Sequence, residues 1–280
     1  MGERITTVER DGLRFDVRDE GPLDGEPIVL LHGFPQDSRS WSEVAPRLHA
    51  AGYRTFALDQ RGYSPGARPR RRRDYHIDLL VDDVVALVES VPGGRAHVVG
   101  HDWGAIVAWA LAMRRPNLVR ALTAVSVPHP GAFLRSFATS LQLLRSWYIL
   151  AFQLPWIPEI LLSSKKIATV VLRRTGQPAE AAERDAARLT DPAAVRGGVH
   201  WYRAVPLWKP RAALKTVTVP TQMIWSDNDV AIGPVGVEAT GRYVSGPYRA
   251  SILAGTSHWI PDEEPEELAR LVIEHVAAHG

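Results

Sequence analysis

The stretch Ala96-His97-Val98-Val99-Gly100-His101-Asp102-Trp103-Gly104 decides how this chain reads. A short apolar, β-branched run enters Gly100. Asp102 follows two residues later and Gly104 two beyond it. Residues 105–115 then carry a helical pattern. Strand, tight turn and helix, with small residues bracketing the turn, is the layout of a nucleophile elbow. The side chain at its tip is a carboxylate where a serine hydroxyl is usual, and that change selects the chemistry. A serine attacking an acyl carbon gives an ester that water cleaves, whereas on a saturated carbon it would give a dead-end ether. A carboxylate attacking a saturated carbon gives an ester, which can be hydrolysed. Asp102 on this turn therefore predicts substrates alkylating at sp3 carbon, either epoxides or alkyl halides.

Outward from the elbow, apolar strands alternate with helical segments. Residues 5–9 and 13–18 alternate around Asp11-Gly12 and predict an antiparallel hairpin. Residues 28–31 are apolar throughout, as in a strand buried on both faces, and end in His32-Gly33-Phe34-Pro35. A helix opened by a Ser40-x-x-Glu43 capping box and closed near Gly52 follows. Then come a strand at 53–58, a helix at 77–91, the elbow, and a strand at 121–127. This alternation predicts a mostly parallel, twisted, doubly wound sheet flanked by helices. From 129 to 214 no clear strand appears, and prolines (155, 158, 178, 192 and 206) separate helical stretches. The expectation is a core of residues 1–128 and 215–280, with an inserted all-helical cap of residues 129–214 over the sheet's C-terminal edge. The core resumes with a strand at 221–225, a helix near 235–244, a strand at 248–253 and a helix at 265–278.

A chain of 280 residues is long enough for one such domain with an insertion. The net charge of +2 is too small to argue for a nucleic-acid or membrane partner, and none is expected. The basic cluster of Arg68 and Arg70 through Arg73 reads as a solvated loop. Without cysteine there are no disulfides or thiolate metal sites. The N-terminus has no apolar h-region and no run is long enough to span a bilayer, so a cytoplasmic location is expected. No cofactor or metal is required, and a homo-oligomer stays open.

An elbow enzyme needs an acid after a later strand and a histidine after the last. Residues 222–225 lead into Ser226-Asp227-Asn228-Asp229, and residues 250–253 into Gly255-Thr256-Ser257-His258-Trp259. His258 would activate water against the ester, with the acid fixing its tautomer. Asp229 is preferred to Asp227, which sits where an Asx turn would use it. The other histidines, including His32 and His101 beside the site, read as packing or hydrogen-bonding residues. The backbone N–H groups of Trp103 and Phe34 would form the oxyanion hole. Pro35 would hold that loop open, and a cis bond suits the task. Gly62-Tyr63-Ser64-Pro65-Gly66 matches a serine elbow literally but fails, because Pro65 stands where an oxyanion N–H is needed.

Together these residues resemble the α/β-hydrolase superfamily, in its epoxide hydrolase branch, along essentially the whole chain. The resemblance rests on His32-Gly33-Phe34-Pro35, Gly100-His101-Asp102-Trp103-Gly104, Asp229 and His258-Trp259. It implies substrate contacts from Phe34, Pro35, Trp103 and Trp259, and a small apolar epoxide and water as partners. It also implies two cap tyrosines that bond the epoxide oxygen. Tyr148 heads a Tyr-x-x-x-Phe-Gln-x-Pro stretch, with Leu154 where an acidic residue is usual. Tyr202 lies in Trp201-Tyr202-Arg203, after His200 where asparagine is common. A phenol with pKa ~10 is still protonated at neutral pH and can donate to an opening alkoxide. Either tyrosine alone reads equally well as core. Two alternatives remain. A haloalkane dehalogenase would need a side-chain N–H for the halide, which Phe34 lacks but Trp147, Trp156, Trp201 or Trp208 could give. A non-catalytic ligand receptor could keep the same fold. Fluoroacetate-type relatives are disfavoured, since Trp103 stands where a positive residue would grip a carboxylate.

Overall fold

A computed structural model describes residues 3–208 and 215–280. Eight strands form one sheet: β1 (Thr7–Arg10), β2 (Leu13–Glu20), β3 (Glu26–Leu31), β4 (Tyr53–Leu58), β5 (Ala96–His101), β6 (Val119–Val125), β7 (Thr221–Ser226) and β8 (Tyr248–Leu253). Their order is β1-β2-β4-β3-β5-β6-β7-β8, with β1 and β2 antiparallel and the rest parallel. The hairpin turns on Asp11 and Gly12, both at positive φ (51° and 75°). Such a two-residue turn matches the strand twist.

The apolar runs are long because β3 and β5 are covered on both faces. Val29 and Leu31 join one core with helices Ile77–Ser90 and Trp103–Arg114. Ile28 and Leu30 join the other with helices Ala45–Ala50 and Pro265–Ala277. Adjacent residues thus serve opposite layers, as the two-residue period of a strand requires. The Ser40 capping box does not form. Asp37 instead caps a 3-10 turn, Ser38–Trp41, by accepting from Arg39 N. Helix Ala45–Ala50 starts four residues after Trp41 with no side-chain cap.

Between β6 and β7 the described residues contribute helices and no named strand. Prolines open these helices rather than only separating them. Pro130 and Pro192 occupy their first turns, where the missing N–H costs nothing. Ala168, Leu172, Ala186, Val195 and Val199 form a small core of their own, closed by Trp259 from the sheet side. Residues 209–214 of the predicted cap lie outside the described residues.

The turn from β5 into helix Trp103–Arg114 is the tightest packing in the sheet layer. A Cβ on Gly104 would lie 2.1 Å from Leu31 O and 2.7 Å from His32 O, both backbone atoms that cannot swing aside. Gly104→Ala is therefore expected to destabilise the protein by about 1–3 kcal/mol or more. Denaturant unfolding measures this, and wild-type stability would contradict the packing.

Candidate active site

Asp102 sits at the tip of that turn with φ 52° and ψ −118°, a region non-glycine residues avoid. Such strain persists only where the surroundings enforce it. Here β5 runs directly into the helix, and Gly33 presses on the tip. A Cβ on Gly33 would lie 2.3 Å from the Cβ of Asp102. The loop after β3 thus approaches closely enough for Phe34 N–H to donate to Asp102 Oδ1 at 2.8 Å. His32 fixes that loop. It is fully buried; its Nδ1 lies 2.9 Å from Gly33 O and its Nε2 accepts from Gln60 N at 3.2 Å. Burial lowers its pKa, so it stays neutral. The Phe34–Pro35 bond is cis.

Three predicted residues from distant chain segments meet. His258 Nδ1 lies 2.6 Å from Asp229 Oδ2, and its Nε2 lies 3.5 Å from Asp102 Oδ2. Asp229 cannot rotate away, because its Oδ1 accepts from Ala231 N (2.7 Å) and Ile232 N (2.9 Å). Burial opposes charge on His258, but Asp229 and Asp102 outweigh it and push the pKa up to about 10. Burial likewise opposes the charge on Asp102, and the hydrogen bond and charge of His258 hold its carboxyl below the ordinary range. His258 thus stands between two aspartates that both favour its charged form. Asp227 is exposed and accepts from Gly255 N, on the loop after β8, at 2.7 Å; the turn contact expected of it is made instead by Asp229, whose Oδ1 accepts from Ala231 N two residues on.

Two supports, Ser126 and Ser226, were not singled out from sequence, and His101 makes the hydrogen bond expected of it. The carbonyl of His258 accepts from Ser126 Oγ (3.0 Å) and from His101 Nε2 (2.9 Å). Ser226 Oγ donates to Ser257 O at 2.6 Å. His101 is held neutral, its pKa lowered to about 4 by burial and by the charge of His258. Ser126 and Ser226 are fully buried hydroxyls directly after or at the end of apolar strands, and that contrast is the signal that marks them.

Tyr148, on helix Trp147–Ala151, and Tyr202, on helix Pro192–Ala204, face each other with ring centroids 6.0 Å apart. Both line one cavity with Asp102 and Trp103. Burial and then the charge of Asp102 push both phenol pKa values well up, so both stay protonated. The two sequence motifs are tied together by their own polar residues. Gln153 Nε2 donates to Tyr202 O (2.9 Å), and Arg203 Nε donates to Phe152 O (3.1 Å) while its guanidinium pairs with Glu159. Trp201 Nε1 donates to Arg61 O at 2.8 Å, anchoring the Tyr202 helix to the core.

The cavity measures about 270 Å³. One face of helix Trp103–Arg114 forms its floor, through Trp103, Ile106, Ala110, Met113 and Arg114. At 1.5 Å per residue that stripe spans about 16 Å. Of the predicted substrate contacts, Trp103 lines this cavity; Phe34, Pro35 and Trp259 do not. Phe34 packs edge-on against Tyr202 and contributes its amide, Pro35 O accepts from Arg188, and Trp259 spends its indole N–H on Thr175 Oγ1. Of the four tryptophans considered as halide donors, Trp147 and Trp156 are exposed and Trp201 is already bonded. Trp208 lines the cavity, and its Nε1 has no partner among the described residues. Ser64 is buried and structural, donating to Asp59 O and accepting from Asp16 N.

Residues 26–265 match the family model of the alpha/beta hydrolase fold. The chain belongs to the alpha/beta hydrolase family. It is 34% identical to the AB hydrolase superfamily protein YfhM of Bacillus subtilis, over 98% of both chains. It is 32% identical to Epoxide hydrolase A of Mycobacterium tuberculosis, over 95% of both. The crystal structure of Epoxide Hydrolase A from Mycobacterium thermoresistibile superposes with a TM-score of 0.83 at 27% identity, covering 98% of each chain.

In this alpha/beta hydrolase, removing one carboxylate should loosen the His258 proton. Asp229→Asn is expected to lower the His258 pKa from about 10 by about one to three pH units, because it removes an anion that stabilises the charged ring. Asp227→Asn should leave it in place. An NMR titration of the imidazole reads both, and the opposite ranking would reassign the acid.

Proposed function

We propose that this chain is an epoxide hydrolase, converting an apolar epoxide and water to a vicinal diol through an ester on Asp102. The observation that carries this is one cavity lined by Asp102 and by two tyrosines whose phenols stay protonated, with the Asp102 oxygens divided between the Phe34 amide and His258. Asp102 Oδ2 attacks a ring carbon and the carbon–oxygen bond breaks. The epoxide oxygen takes a proton from Tyr148 or Tyr202. Oδ1 becomes the ester carbonyl and keeps the Phe34 N–H, with Trp103 N–H as the second donor of the oxyanion hole.

Alkylation also changes His258. Asp102 loses its charge, so one of the two anions holding the imidazolium proton is gone, and that proton returns to the phenolate. Neutral His258 then takes a proton from water as it attacks Asp102 Cγ. When the tetrahedral intermediate collapses, the Cγ–Oδ2 bond breaks. The hydroxyl proton carried in by water goes to the departing alkoxide. The diol leaves, with Asp102 ionised and His258 protonated as at the start. Residues 129–214 act as a cap in this account, supplying the tyrosines and the roof over a core of residues 1–128 and 215–280.

Haloalkane dehalogenation is the competing reaction. It has one candidate donor beyond the oxyanion loop, Trp208 Nε1, and needs no phenol, since a leaving halide takes no proton. Tyr148→Phe and Tyr202→Phe each remove one donor to the alkoxide. Each should slow epoxide opening by up to about 10²–10³-fold, as loss of one transition-state donor does, and the double variant should nearly eliminate it. Diol and halide are measured on a panel of aryl and alkyl epoxides beside haloalkanes. Halide release without diol formation, undiminished in the double variant, would replace this function with dehalogenation.

A further inference from the structure

The helices between β6 and β7 carry an apolar outer surface that nothing in the fold covers. Thirteen of the eighteen exposed large apolar side chains among the described residues fall within residues 141–171. Among them are Leu144 (68% exposed), Trp147 (67%), Trp156 (75%) and Ile160 (69%). They are arranged by helix. Ile157, Ile160 and Leu161 on helix Ile157–Leu162 share one face, and Ile167, Val170 and Val171 on helix Lys165–Arg174 repeat the same i, i+3, i+4 spacing. The inner face of the second helix is separately occupied, by Ala168 and Leu172 in the core closed by Trp259. Exposed apolar side chains that cluster in one segment and repeat along helix faces differ from the singly scattered ones that an ordinary surface carries.

Charge identifies what covers it. Residues 141–174 hold five basic side chains, Arg145, Lys165, Lys166, Arg173 and Arg174, and one acidic one, Glu159. Glu159 is neutralised by Arg203. The five cations are exposed, and no carboxylate pairs with them among the described residues. A second copy of the chain docked on this face would set that cationic group against itself, because a two-fold interface is self-complementary. An anionic bilayer surface meets both features. Short helices lie in its plane with apolar side chains inserted, tryptophans sit at the headgroup level, and lysine and arginine face anionic lipid.

We propose that this face of residues 141–174 is a peripheral docking surface for anionic membranes. The expectation of no membrane partner came from the small net charge of the whole chain, which says nothing of how charge is distributed, and no described helix is long and apolar enough to cross a bilayer. Docking from one side needs none. The surface also adjoins the cavity. Tyr148 and Ile149 line it, while Trp147 and Leu150 on the same helix are exposed, so one helix separates cavity from patch. Leu134 lines the cavity and is 46% exposed, which opens it to the surface. An apolar substrate dissolved in lipid would have a short path to Asp102. The docking itself is independent of which reaction Asp102 performs.

Flotation of the full chain with vesicles tests this. Vesicles of phosphatidylcholine mixed equally with phosphatidylglycerol are compared with phosphatidylcholine alone. The chain should float with the mixed vesicles and not with the neutral ones, and raised salt should weaken binding. Lys165→Glu/Lys166→Glu should weaken it on the order of tenfold or more, and Leu144→Glu/Ile160→Glu should abolish it. Both variants should keep wild-type circular dichroism and turnover of a water-soluble epoxide. Absence of binding to the mixed vesicles, or equal binding by both variants, would overturn the proposal. So would a concentration-dependent dimer that Leu144→Glu/Ile160→Glu dissolves.

Discussion

An imidazole held between two aspartates organises this site. Either carboxylate alone would leave His258 to titrate nearer its ordinary range, and burial alone would strip its proton. Together they keep a charge inside a buried pocket, with Asp229 locked by two amides and Asp102 by one. The arrangement couples charge to chemistry. In the proposed reaction, consuming the charge on Asp102 removes one of the two anions that favour the proton, so the base is released when an ester exists for it to act on. A buried ion group of this kind adds little to stability by itself, since desolvation offsets its attraction.

Holding these three side chains within such short distances places demands on the backbone. The sheet meets them at the C-terminal ends of β3, β5, β6, β7 and β8, where parallel strands expose their loops. Gly33 and Gly104 permit the close approach that aims Phe34 N–H at Asp102. Ser126 and His101 hold the carbonyl of His258, and Ser226 that of Ser257, so the histidine loop cannot drift as its charge changes. The tyrosines stand on separate helices, and Gln153 and Arg203 join those helices by bonding backbone carbonyls across the gap.

Much of this was legible in the sequence because it is written in local patterns. Two-sided burial makes β3 and β5 uniformly apolar, and the turn chemistry at Asp11-Gly12 and around Asp102 names its own geometry. Asp229 was preferred to Asp227 for a reason the structure reverses: Asp229 itself makes the turn, accepting from Ala231 N and keeping its other oxygen for His258, while Asp227 reaches across to Gly255 N. What was not legible depends on contacts between distant segments. Ser40 looked like a helix cap, yet it lies inside the 3-10 turn that Asp37 caps, and the helix proper starts at Ala45. Trp259 follows the histidine and so looked like a substrate contact, but the core of the helical segment uses it as a strut. The apolar stripes at residues 157–171 have the periodicity of buried helices, and only packing reveals that they face outward.

The ester on Asp102 is the claim on which the rest turns. A single turnover in oxygen-18 water, with enzyme in excess over epoxide, tests it most directly. The first diol formed should carry unlabelled oxygen delivered by the carboxylate, and the label should appear in the Asp102 peptide by mass spectrometry. Label in the first diol, with none in Asp102, would show that water attacks the epoxide itself and would contradict the account.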